Sequence, residues 1–108
     1  MSIKLVVMYP YQKDQEAFEK AYVTEHIPLV AKNLTRVQKA SYSRVLMSPQ
    51  GDSPFCRIAE LHYDSLESLQ ADFSTPAGQA LSAHAASIAT TGVAISLICD
   101  EETVTFSK

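Results

Sequence analysis

Ile3-Lys4-Leu5-Val6-Val7-Met8-Tyr9-Pro10 is the stretch that decides the fold. It is apolar and β-branched, and Pro10, which has no amide hydrogen to give a ladder, closes it, so it predicts a strand. Side chains alternate along a strand, which puts Ile3, Leu5 and Val7 on one face and Val6 and Met8 on the other. Both faces are apolar. A sheet with one wet face would alternate apolar with polar, so the pattern predicts a sheet covered on both sides. Val93 to Cys99 repeats it, with Ile95 and Leu97 against Ala94 and Ile98.

Working outward, Asp14 is placed to cap a helix running from Gln15 to about Asn33. Phe18, Tyr22, His26 and Leu29 (or Val30) recur at steps of three and four and form its inward stripe, while Glu16, Glu19, Lys20 and Glu25 fall mostly outside it. Pro28 has no amide hydrogen and its ring crowds the Thr24 carbonyl, so the helix is predicted to kink or end there. Asn33 suits a left-handed helix end. Arg36 to Met47 reads as a second strand, with Arg36, Gln38, Ala40, Tyr42 and Arg44 on one face. Ser48 to Pro54 is dense in turn residues, and Phe55 to Tyr63 forms the third strand of a long-looped hairpin.

Asp64 or Ser65 caps a short helix from Leu66 to about Phe73. Thr75-Pro76 restarts it, with Ala77, Leu81, His84 and Ile88 inward and Gly92 at its end. After the Val93–Cys99 strand, Asp100-Glu101-Glu102 interrupts, and Thr103 to Phe106 is strand-like again, able to pair with a partner's sheet edge. The order βαββαβ predicts an α+β, ferredoxin-like unit: a four-stranded antiparallel sheet with helices on one face. The second apolar face then needs a cover, and the simplest closed solution is a homodimer packed sheet to sheet.

A chain of 108 residues is expected to be a single domain over 1–108, and 46% hydrophobic residues suits a globular core. Net charge is −3, and Lys32, Arg36 and Lys39 are the nearest approach to a basic patch, so nucleic acid is not an expected partner. No apolar run approaches the roughly 20 residues that span a bilayer, so no membrane association is expected. Met1 to Met8 is too short for a signal peptide and reads as strand. Cys56 and Cys99 lie far apart in apolar runs, which predicts free buried thiols in a cytoplasmic protein and no zinc motif.

Several pieces in order resemble the EthD-like proteins of the dimeric α/β-barrel superfamily. They are Ile3 to Pro10, Tyr22 through His26-Ile27-Pro28-Leu29, Ser43-Arg44-Val45-Leu46, Ile58 to Ser65, Thr75-Pro76-Ala77-Gly78-Gln79 and the Gly92-Val93 strand start. The resemblance covers nearly the whole length. It implies a homodimer with a barrel-like core and a pocket between sheet and helices in each protomer. The family takes its name from bacterial ether degradation. The wider superfamily includes isomerases, cyclases, cofactor-free oxygenases and haem-degrading enzymes, so kinship alone selects no chemistry.

His26 is the first candidate catalytic residue, since an inward imidazole beside a helix break can move a proton near neutral pH. The ordinary alternative is a core histidine with one bonded nitrogen. The Tyr-x-x-x-His-x-Pro-Leu pattern is matched by Tyr22, His26, Pro28 and Leu29, and Tyr22, one turn earlier, can orient His26 or polarise a substrate oxygen. Tyr9, Tyr42, Tyr63 and Arg44 are candidate substrate-binding residues on the sheet side, with Arg44 suited to an anionic oxygen. His84, on the inward stripe of the second helix, can approach His26 in one pocket or sit as a core histidine.

No third ligand is placed by spacing, so neither metal nor cofactor is expected. Haem-degrading relatives use a second-helix histidine, which leaves haem at His84 as the minor alternative. Glu60 sits in an apolar strand and needs a partner, with Arg44 or Arg57 in reach, either as an interface ion pair or as a base. His62 points away from Tyr63. The sequence therefore points to a small cofactor-independent isomerase, cyclase or oxygenase, or its accessory. It would hold a small apolar, aromatic or lactone-like molecule with His26 as proton shuttle. The alternative is a ligand-binding dimer without turnover.

Overall fold

A computed structural model describes residues 2–107, so Met1 of the strand read from Met1 to Met8 lies outside the described residues. Strand β1 (Ser2–Pro10) is followed by α1 (Gln15–Ala21), a π-helical turn (Tyr22–His26) and α2 (Ile27–Asn33). Then come β2 (Lys39–Arg44), β3 (Phe55–Tyr63), α3 (Leu66–Ser74), α4 (Pro76–Ile88) and β4 (Ile95–Glu101). The four strands form one sheet in the order β2-β3-β1-β4, every pair antiparallel. This is the βαββαβ arrangement, with the helices on one face. Ile3, Leu5, Leu61 and Tyr63 from the sheet bury themselves against Val30, Leu34, Leu69 and Leu81 from the helical side.

The helix starts are local hydrogen-bond devices. The Asp14 carboxylate accepts from the Ala17 amide, the Ser65 hydroxyl from Ser68, and the Thr75 hydroxyl from Gly78. At Gly78 a Cβ would fall on the Asp72 carbonyl oxygen, so only glycine lets α4 start this close to α3.

Four expectations need correction. Of a kink or an end at Pro28, the end does not occur: the turn before it widens, and the Ile27 amide donates to the Tyr22 carbonyl five residues back. Asn33 does not adopt a left-handed end; the helix stops at an extended Leu34, and Asn33 Nδ2 donates to the Ala77 carbonyl (2.8 Å). The second strand is shorter than Arg36 to Met47, and the last one runs through Asp100 to Glu101, because ladder pairing to Ser2 and Ile3 carries it on and Glu101, half-buried, pairs with Lys4. Residues 102–107, including Thr103 to Phe106, lie outside the four strands.

The sheet face away from the helices carries Val6, Met8, Ile58, Ile95 and Leu97, since residues opposite one another in an antiparallel ladder share a face. Leu97 is 48% exposed on it. The same face holds an ion cluster: Lys4 Nζ lies 2.6 Å from Glu60 and 2.8 Å from Glu101, with His62 3.9 Å from Glu101. Hydrogen bonds to Glu101 and then Glu60 hold the Lys4 ammonium well above its usual range. Glu60 thus pairs with Lys4, not with Arg44 or Arg57, which strand parity puts on the helix face. Cys56 is buried and Cys99 half-buried, both free. No helix among the described residues is long and apolar enough to cross a membrane.

Candidate functional site

The helices do not fill the space over the sheet. A cavity of about 660 Å³ lies between the central strands and α2, α3 and α4. Leu5, Val7 and Leu61 form its floor, Val30, Phe73 and Leu81 its roof, and Val93, Ser96 and Ile98 its side along the edge strand β4. Its polar groups are Tyr9, His26, Tyr42, Ser82, Thr90 and Ser96, and no Asp, Glu, Lys or Arg lines it among the described residues. A site of this kind takes an uncharged, largely apolar molecule and orients it by few polar contacts.

His26 reaches the cavity from the π-turn. With hydrogen bonds five residues apart, residues four apart lie nearly above one another, and the Tyr22 and His26 rings stack at 5.7 Å and 27°. Tyr22 is wholly buried under Phe18 (5.5 Å, 29°) and under the Arg57 guanidinium (5.1 Å), which also pairs with Glu19. Tyr22 therefore fixes the tilt of His26 by stacking. Its hydroxyl has no hydrogen-bond partner among the described residues, and it does not line the cavity. Burial pushes its phenol far above the ordinary range.

Both ring nitrogens of His26 are engaged. The Tyr9 hydroxyl lies 3.3 Å from Nε2, and His84 Nδ1 lies 2.9 Å from Nδ1, the two imidazoles lying near-parallel (9°) with centroids 5.1 Å apart. His84 Nε2 in turn lies 3.2 Å from Glu25 Oε1. A carboxylate only accepts, so His84 donates through Nε2, and a neutral His84 accepts at Nδ1. His26 then carries its proton on Nδ1, which leaves the Nε2 lone pair toward Tyr9 and the cavity. Burial, reinforced by His84, lowers the imidazole to about 4, so His26 is neutral at ordinary pH. Burial, with Tyr42 adding, pushes Tyr9 up to about 12, so it stays a phenol and donates.

The structure brings Tyr9, Tyr42 and His26 to the cavity, with His84 directly behind His26. Arg44 and Tyr63 lie elsewhere. Arg44, at the far end of edge strand β2, borders a separate recess with Lys20, Val23 and Cys56. Tyr63 donates to the buried Asp72 (2.9 Å), which also accepts from the Arg36 and Thr35 amides. Burial raises the Asp72 carboxyl, but those donors outweigh it and hold the group below its ordinary value. His84, with one nitrogen on His26 and the other on Glu25, has none left to ligate haem iron in this arrangement. Glu25 falls mostly outside the inward stripe, and only the packing of α4 against the π-turn brings His84 to it. Ser82, Thr90 and Ser96 carry no sequence signal beyond facing the helix–sheet layer.

The family model described as the EthD domain matches residues 11–92. An 11.0 kDa Rhodococcus erythropolis protein encoded in the thcB–thcC intergenic region is 30% identical over 102 residues, spanning 94% of this chain and 96% of its own length. A crystal structure of an EthD-family protein from Bacillus halodurans is 30% identical, with a TM-score of 0.87 over 94% of this chain and all (100%) of that one. The cofactor-independent oxygenase SnoaB from Streptomyces nogalater is 7% identical, with a TM-score of 0.67 over 95% of each chain, a likeness of fold alone.

Proposed function

The chain belongs to the EthD family, and from that premise we propose that it is a cofactor-independent enzyme. It binds a small, uncharged apolar or aromatic molecule between sheet and helices and moves a proton through His26. The observation that supports this most is the 2.9 Å contact of His26 Nδ1 with His84 Nδ1, which with both rings neutral keeps the proton on His26 Nδ1 and leaves Nε2 toward an apolar cavity. A neutral imidazole out of water is a proton acceptor already in its active form. Tyr9 donates to Nε2 at rest, and turning that hydroxyl onto the bound molecule frees the Nε2 lone pair and stabilises oxygen on which charge develops. Isomerisation, cyclisation and oxygenation of an acidic carbon all begin with this proton removal. The working unit is a homodimer joined through the apolar sheet face around Leu97.

The probe 5-nitrobenzisoxazole tests the reading: it is a small apolar carbon acid whose ring opens to a coloured cyanophenolate on loss of one proton. With protein in excess, the wild type accelerates ring opening, and His26→Gln reduces that rate about a hundredfold while still binding the probe. Equal rates in both would sink the proposal. The low basicity of His26 favours one second reading, a hydrogen bond from His26 to a retained ligand without turnover. In that case His26→Gln weakens binding and no rate is seen.

A further inference from the structure

Accepting a proton creates a difficulty that the site must solve. His26 is 6% exposed and lies against Tyr9, Tyr22 and His84, none of which carries a negative charge. A buried imidazolium there is costly. We infer that His84 and Glu25 form a charge relay that carries the positive charge from His26 to the surface whenever Nε2 takes a proton from a bound molecule. This rests on the reading of His26 as proton acceptor.

The geometry is a chain of three contacts that runs outward. Tyr9 Oη and the cavity lie at Nε2 of His26, Nδ1 meets His84 at 2.9 Å, and His84 meets Glu25 at 3.2 Å. The His84 side chain is 21% exposed and that of Glu25 62%, so the chain goes from dry to wet in two steps. With both rings neutral the donor directions all agree, because one acceptor-only carboxylate at the outer end sets both tautomers.

The step balances without another reactant. The bound molecule's proton bonds to His26 Nε2, and the electron pair of the broken bond stays on that molecule. The Nδ1 proton of His26 moves to His84 Nδ1. The Nε2 proton of His84 moves to the Glu25 carboxylate or to water beside it. Both rings end neutral with their tautomers exchanged, and the proton taken from the ligand remains on His26 Nε2. When that proton is returned, the chain runs backwards and the first tautomers are restored. The relay therefore fits a reaction that takes a proton and gives the same one back, an isomerisation or rearrangement. Permanent proton loss would leave His26 blocked at Nε2.

Two measurements decide it. Nitrogen NMR of 15N-histidine-labelled protein at neutral pH is expected to place His26 as Nδ1–H and His84 as Nε2–H, with coupling across the N–H···N bond. Finding His84 protonated on Nδ1 overturns the relay. In the second, first-turnover ring opening of 5-nitrobenzisoxazole falls about tenfold in Glu25→Gln and about a hundredfold in His84→Ala, with probe binding unchanged. Added imidazole restores part of the His84→Ala loss, since the gap lies at the surface; a merely structural His84 would not be rescued. Full rates in both variants, with His26→Gln inactive, overturn the relay and leave the role of His26 standing. A wild type inert toward the probe counts against the role of His26, and the tautomers alone then judge the relay.

Discussion

Replacing His26 by Gln removes the buried titrating group and keeps a polar side chain of similar reach, so it isolates the linkage between His26 and folding. An unfolded histidine titrates near 6.5, whereas the folded value is about 4. Between those values the unfolded chain binds a proton that the folded chain excludes. Stability is therefore full above pH 6.5 and is lost as pH falls toward 4. At about 1.4 kcal/mol per tenfold, that gap amounts to about 3 kcal/mol. Solvent reaches the pair through His84, and screening from that side reduces the loss to about 2 kcal/mol.

The assay is urea unfolding of wild type and His26→Gln at pH 7.5 and 4.5, at one fixed protein concentration because an oligomer's stability depends on it. The wild type is expected to lose about 2 kcal/mol more than the variant between the two conditions. Other acid-sensitive groups, Asp72 and the Lys4 cluster among them, are common to both proteins and cancel. A difference between the two proteins that is the same at both pH values would show that His26 titrates as it does in water, and the account of its burial would be wrong.

Two further outcomes follow from the packing. Asp72→Ala strands buried donors from Tyr63, Thr35 and Arg36, and is expected to cost about 3 kcal/mol in urea unfolding, with Asp72→Asn milder because one acceptor remains; a loss below about 1 kcal/mol would mean that water replaces the carboxylate. The stabilisation from its lowered carboxyl is present above the unfolded value and disappears as pH falls through the folded one. Leu97→Lys puts a charge in the middle of the apolar sheet face, so light scattering at micromolar concentration should give a dimer for wild type and a monomer for the variant, whereas a wild-type monomer would show that this face has no second copy on it.

What the sequence revealed was what short-range rules govern. The caps at Asp14, Ser65 and Thr75 are contacts three residues long, and the alternation in β1 is a property of one strand. The pairing of His26 with His84 also followed, because two helices on one sheet face must turn their inward stripes toward each other. At Pro28 the helix widens instead of ending, and the widened turn carries the Tyr22–His26 stack. Glu101 was read as a break since its partner, Lys4, lies at the other end of the chain and meets it only through the β1–β4 register. Arg44 and Tyr63 share the correct face but sit at strand positions away from the cavity, a distinction that parity cannot make. Asp72 and Glu25 were passed over because their partners come from other elements.

The central claim is that His26 Nε2 accepts a proton inside the cavity, and the pH dependence of the second-order rate for 5-nitrobenzisoxazole tests it most directly. With protein in excess, that rate reports the ionisation of the free protein's base. The account predicts a rate that is flat from neutral pH downward, falls with an inflection near 4 over the range where circular dichroism shows the fold intact, and is about a hundredfold lower without that inflection in His26→Gln. An inflection near 6.5 that persists in His26→Gln would place the base at an exposed histidine and contradict it.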